Sequence, residues 1–295
     1  MRVLILALTL IVPFSGFAQN SGDKAAHARA LLDQARAALG GEKLKSLQSL
    51  SATVSYRRAL GERQLTGEIE YDLLLPDKFL KNETMSPIPG VEITRVEAMN
   101  DGKVWTDAGS KGGGGGSVVI RQGGAANDPQ ALALMEQNIR SDFMRLIIGW
   151  LLTAPASFPV EFTHAGTAEA EDGTADVIEV KGQNNFAAYL FLDQKTHRPF
   201  MLSYKGRAPR LMMQTSPGQP RTQEEMDKQA KEMQERAAAA PLDEIQIRFG
   251  DYRNVDGISF PHHLSKSVNG EVNEEWEMKK FKVNPSIKPE KFEKK

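Results

Sequence analysis

Two segments of this chain alternate with a strict period of two, and that pattern constrains the fold more than any other feature. In Leu50–Tyr56 the even positions Leu50, Ala52, Val54 and Tyr56 are apolar, and Ser51, Thr53 and Ser55 between them are polar. Between Leu65 and Leu75, Leu65, Ile69, Tyr71, Leu73 and Leu75 share one parity, while Thr66, Glu68, Glu70 and Asp72 alternate with them. Successive side chains of a strand point to opposite faces, so this alternation marks half-buried antiparallel strands. The pairs Asp101-Gly102, Asp172-Gly173, Asp256-Gly257 and Asn269-Gly270 each sit between β-like runs. They supply residues that tolerate the positive φ of a tight hairpin. Turns spread in this way predict a large antiparallel meander and argue against alternating βαβ units.

Helical periodicity precedes the strands once and interrupts them twice. Asp23 can cap a helix running to about Leu39, which Gly40-Gly41 closes. From Asp128 to Thr153, Leu132, Met135, Ile139, Phe143, Leu146 and Trp150 fall on one helix face, widened by Ile147 and Leu151. From Gln223 to Ala240 the stripe is narrower, and Glu224–Lys228, Asp227–Lys231 and Glu232–Arg236 are i,i+4 pairs in the favourable order. The 128–153 helix reads as core, and the second as a solvated excursion over 221–240. The Gly-rich loop 109–117 contains five consecutive glycines, Gly112–Gly116, and Ser216–Arg221 is rich in proline and polar residues.

The N-terminus predicts export. Arg2 precedes the apolar run Val3–Phe14, and Gly16-Phe17-Ala18 places small residues before a cut. Residues 1–18 read as a signal peptide cleaved near Ala18, which leaves a single domain over 19–295. The run is too short to span a bilayer, and no later segment qualifies. The mature chain is expected to be a soluble, periplasmic monomer with no transmembrane segment. With no cysteine, it has no disulfide framework and no thiolate metal site or nucleophile. Thirty-seven basic residues against 38 acidic ones exclude a general nucleic-acid binder.

A search for reaction chemistry finds little. His27, His164, His197, His262 and His263 form no HExxH, and the adjacent His262 and His263 point to opposite faces of a strand. There is no G-x-S-x-G elbow, and the glycine run leads into Val118-Val119-Ile120 without the Gly-Lys-Ser/Thr of a P-loop. Glu68/Glu70 and Glu275/Glu277 are same-face pairs, about 7 Å apart, that read as solvated outer faces. An enzyme would show titratable groups gathered inside the fold, and no such cluster is expected. The chain reads as non-catalytic, without cofactor or metal. The apolar surplus lies instead in Phe186–Leu192, where both strand faces are apolar. That asks for a covering helix or an apolar ligand.

Several motifs then resemble one family. Leu192-Asp193-Gln194-Lys195-Thr196-His197-Arg198-Pro199-Phe200 is similar to the strand–turn–strand signature of the periplasmic lipoprotein carriers and their LolA-like relatives. Pro76-Asp77-Lys78-Phe79, the stretch Asp251–His262, Phe281–Pro285 and Ala38-Leu39-Gly40-Gly41 resemble further parts of outer-membrane lipoprotein-sorting homologues, in the same order. The resemblance implies an α+β fold: a curved antiparallel half-barrel with helices covering its open concave side. It also implies acyl-chain binding, of phospholipid, glycolipid or lipoprotein, in a groove lined by Ile69, Tyr71, Phe143, Ile147, Trp150, Leu151, Leu190 and Leu192. The alternative is an envelope sensor or scaffold whose cavity is filled by side chains and whose partners are envelope proteins. This chain is longer than the carriers, with the glycine run and the 221–240 helix as insertions. Their functional basic residue has no secure counterpart among Arg57, Arg58 and Arg63.

Overall fold

The computed structural model describes residues 21–61, 63–88, 90–111, 129–170, 173–207 and 241–294. The signal peptide expected over 1–18, the glycine run 112–116, the loop 216–221 and the charged helix expected over 221–240 lie outside the described residues. So does Asp172 of one turn pair.

Strand alternation produces two meanders. The first comprises β1 (Ser49–Leu60), β2 (Arg63–Leu74), β3 (Lys78–Ile88), β4 (Val91–Asn100) and β5 (Lys103–Lys111). The second comprises β6 (Val160–Ala170), β7 (Gly173–Gly182), β8 (Ala187–Asp193), β9 (Pro199–Gly206), β10 (Asp243–Val255), β11 (Ile258–Val268) and β12 (Glu271–Val283). Neighbours in each meander pair antiparallel, and β1 pairs with β12, so the twelve strands of the described residues make one sheet. The order β5-β4-β3-β2-β1-β12-β11-β10-β9-β8-β7-β6 leaves β5 and β6 as edges. At the predicted turns Asp101/Gly102, Asp256/Gly257 and Asn269/Gly270, both residues have positive φ, as a tight hairpin requires. The D-x-x-T motif has a local cause: Asp193 Oδ1 accepts hydrogen bonds from the Thr196 amide and hydroxyl at 2.6 and 2.7 Å, tying the β8–β9 turn.

Helix α3 (Pro129–Leu151) follows the first meander and precedes the second, and it packs on β4 and β5 at one side and on β8 and β9 at the other. It therefore straps the open side of the sheet. Its 23 residues reach about 35 Å at ~1.5 Å each. Leu132, placed on the buried stripe by periodicity, is 42% exposed, because contact with the core begins near Met135. Helix α1 (Ser21–Leu39) lies against β6 and β11 and buries Ala28, Leu31, Leu32 and Ala35. It ends where expected, and a Cβ on Gly40 would lie 2.7 Å from the Gly257 carbonyl, so only glycine lets the helix end meet the β10–β11 hairpin. A short helix α2 (Glu42–Lys45) leads into β1. The fold is the expected α+β class, an open curved sheet with helices on its concave side. On the outer face, Phe292 of a terminal 3-10 turn inserts by Leu80 and Ala98, and Trp105 Nε1 donates to its carbonyl at 2.8 Å.

Candidate functional site

Strand parity and the stripe of α3 aim the eight candidate groove residues at one another. Ile69, Tyr71, Phe143, Ile147, Trp150, Leu151, Leu190 and Leu192 all belong to one core cluster, and none is more than 5% exposed. Phe143 stacks on Phe79 at 5.4 Å, and Trp150 meets the rings of Tyr71 and Phe281 edge-on at 5.7 and 5.5 Å. Gly149 sets how close α3 approaches, since a Cβ there would lie 2.5 Å from the Phe249 ring. The seam between helix and sheet is filled by these side chains. A cavity of about 100 Å³ lies at its edge by Met99, Arg140 and Phe158. Another, of about 320 Å³, lies at the β8–β9 turn by Asp193, Arg198 and Tyr252.

Few polar bonds tie α3 to the sheet. Arg140 donates to the Gly102 carbonyl at 3.1 Å and Gln137 to the Asn184 carbonyl at 2.7 Å. Arg145 lies over the Tyr204 ring at 3.6 Å, and Arg36 of α1 holds the Leu152 carbonyl just past the helix end. Inside the seam, the buried indole N–H of Trp150 finds no acceptor among the described residues. A buried donor left unpaired costs about 1–3 kcal/mol.

Further along the same concave face the chemistry changes. Parity turns Arg58, Lys81, Glu83, Arg95, Glu97, Lys266 and Glu274 inward with the apolar residues. Arg58 reaches Glu274 at 2.8 and 3.1 Å and Glu83 at 3.2 Å. Lys81 bridges Glu83 at 3.1 Å and Glu97 at 3.2 Å, and Arg95 pairs with Glu97. The three glutamates are buried, at 3%, 7% and 4% exposure for Glu83, Glu97 and Glu274. Gly67 makes room beneath them, because a Cβ there would lie 2.7 Å from the Tyr56 ring. Burial alone would raise the carboxyl pKa of Glu83, but Lys81 and Arg58 lower it to about 2. Glu274 is also lowered: its burial is outweighed by Arg58. Both are therefore held as ionised anions, unlike the raised carboxyl group of a general acid.

This network corrects the expectation that no titratable cluster lies inside the fold. The acid pairs singled out from sequence, Glu68/Glu70 and Glu275/Glu277, do face outward, while Glu274, next to Glu275 on β12, faces in. The missed signal was parity: Lys81 and Glu83 share the phase of Phe79 and Met85, and Arg95 and Glu97 that of Ile93 and Met99. His262 and His263 point to opposite faces as expected, the first buried and bonded to the Phe260 carbonyl, the second beside Glu277. Where α1 meets β6, His27 lies 4.2 Å from His164 between ring centroids, and His164 Nε2 is 3.8 Å from Asp176. Burial, then the nearby His27, lower the His164 pKa. Among the described residues, no helix is long and apolar enough to cross a membrane.

No protein-family model and no curated protein matches this chain. Solved structures similar to it include an outer membrane lipoprotein-sorting protein domain from Vibrio parahaemolyticus, with 10% identity and a TM-score of 0.48, over 92% of this chain and 97% of that one. A DUF1329 family protein from Desulfovibrio piger has 8% identity and a TM-score of 0.46, over 90% and 97%. A LolA superfamily protein from Nitrosomonas europaea has 14% identity and a TM-score of 0.44, over 90% and 97%.

Proposed function

We propose that this chain is a non-catalytic binding or carrier protein for an acyl-chain ligand, a phospholipid, glycolipid or lipoprotein, in the periplasm to which its leader-like N-terminus would send it. The ligand enters between α3 and the concave sheet and is lined by Ile69, Tyr71, Phe143, Ile147, Trp150, Leu151, Leu190 and Leu192. The observation that carries this reading is the seam itself: a strap helix held mainly by apolar packing, whose buried Trp150 indole N–H has no acceptor among the described residues. A strap of this kind can lift without breaking the sheet, and an ester or amide carbonyl next to an acyl chain would satisfy the indole. Shielding such a chain from water is worth ~0.8 kcal/mol per CH₂, enough to drive the exchange of side-chain contacts for ligand contacts.

A second reading, an envelope sensor or scaffold with a permanently filled core, draws on the close packing of the same eight residues. Native mass spectrometry separates the two, using mature protein purified without detergent and then solvent-extracted. A stoichiometric adduct that extracts as phospholipid, glycolipid or acylated peptide supports the carrier. A bare mass that excess lipid leaves unchanged supports the scaffold. Trp150→Asp should abolish acyl-chain binding while far-UV circular dichroism keeps its β signal, and retention of binding would place the groove elsewhere.

A further inference from the structure

One row of the sheet passes from the apolar to the charged part of the concave face. Register aligns Leu190 with Leu202, Leu202 with Ile247, Ile247 with Lys266, Lys266 with Glu274, and Glu274 with Arg58. Lys266 therefore stands at the boundary, with an aliphatic wall on one side and the ion network on the other. Its cross-strand neighbour Glu274 spends both oxygens elsewhere: one accepts from Arg58 Nε and the other from Arg58 Nη2 and Trp276 Nε1. Among the described residues, no hydrogen bond or ion pair reaches the half-buried Lys266 ammonium. On α3, the nearby Asp142 is paired with Arg145 at 2.8 Å, and Arg145 covers Tyr204. Four inward cations, Arg58, Lys81, Arg95 and Lys266, thus face three inward carboxylates, Glu83, Glu97 and Glu274. A desolvated cation is costly unless an anion meets it.

We propose that Lys266 anchors the headgroup of the ligand, which is an amphiphile bearing an anionic carboxylate or phosphate at the end of its acyl chain. The head takes the unmet charge at Lys266, and the tail runs over Ile247, Leu202 and Leu190 beneath α3. Three strand spacings of ~4.8 Å separate Lys266 from Leu190, a path of about 14 Å along the row. Burial, which alone would lower its pKa, does not neutralise the anchor, because Tyr204 and then Glu274 keep it above the ordinary lysine value. The proposal rests on the acyl-chain reading above and specifies which member of that class fits.

Its test measures binding of three probes to the mature full chain: oleate, oleoyl lysophosphatidic acid and the neutral monoolein. At least one anionic probe should bind about tenfold tighter than monoolein, the worth of one partly desolvated charge-assisted contact. Which anionic probe leads tells carboxylate from phosphate. Lys266→Gln should reduce anion binding to the monoolein level and leave monoolein binding unchanged, while Lys266→Arg should keep the preference and serve as the folded control. Equal binding of all three probes to the wild type, or a preference that survives Lys266→Gln, overturns the headgroup assignment and leaves the apolar groove standing. Binding of none of them, by protein with an intact thermal transition, overturns the acyl-chain reading and this assignment with it.

Discussion

On the concave face, two kinds of chemistry lie two residues apart on the same strands. The row Leu50–Leu73–Phe79–Met99 is apolar and is capped by Phe143 of α3. The rows that follow, Tyr71–Lys81–Glu97 and Ile69–Glu83–Arg95, share the face but carry an ion network. The difference teaches how each part tolerates change. Apolar burial contributes roughly in proportion to area, so a helix can slide or lift and lose stability gradually. In a buried ion network, removing one member of a pair strands the other and costs far more. The first part can loosen by degrees, and the second holds the sheet in shape while that happens.

The sharpest test of the contrast is Arg58→Met. It leaves Glu274 and Glu83 short of their shared cation and should cost about 3–5 kcal/mol in urea unfolding. A loss under about 1 kcal/mol would mean that water already reaches the network. Gly149→Ala acts on the apolar part, where the added Cβ meets the Phe249 ring, and should cost about 1–3 kcal/mol. Hydrogen exchange should then rise in α3 and stay unchanged in β3 and β4, and uniform change would tie the two parts together.

Acid should separate two further regions. His164 has a lowered pKa in the folded state, so its contribution is present above the ordinary histidine range and is lost as pH falls through the folded value. Glu83 is lowered from 4.5 to about 2, so its contribution is present above 4.5 and is lost as pH falls toward 2. Melting temperature against pH should show both limbs, the first absent in His164→Gln and the second in Glu83→Gln. The smallest effect belongs to Arg57→Gln. Arg57 neighbours Arg58 in sequence but pairs with Glu275 on the outer face, where the side chains are 55% and 39% exposed. The change should cost about 0–1 kcal/mol, and any larger loss would undo the distinction between faces.

Period two made the sheet legible in the sequence, because Leu50–Tyr56 and Leu65–Leu75 state which side is buried. The three-four spacing of Ile139, Phe143 and Trp150 marked α3 for the same reason, and Asp193 and Thr196 marked their turn. The ion network was not legible in the same way. A charged residue on a strand is ordinarily solvated, and only the register that sets Arg58 opposite Glu274 shows that these charges answer one another. Sequence also placed the groove residues on one face, but not how tightly α3 would fill the space above them, which depends on Gly149 meeting Phe249.

The seam between β1 and β12 has a consequence for how the chain is made. Ser49 hydroxyl donates to the Pro285 carbonyl across 236 residues of sequence, so the sheet is completed by its first and last strands. Such a fold has high contact order, and no order of synthesis shortens it. Until the final strand emerges, β1 carries a bare edge able to pair with any other chain nearby. A product truncated before Glu271 would keep two half-sheets, each with an open edge. Loss of β12 therefore exposes two strand edges at once, on β1 and on β11, to pairing with other chains.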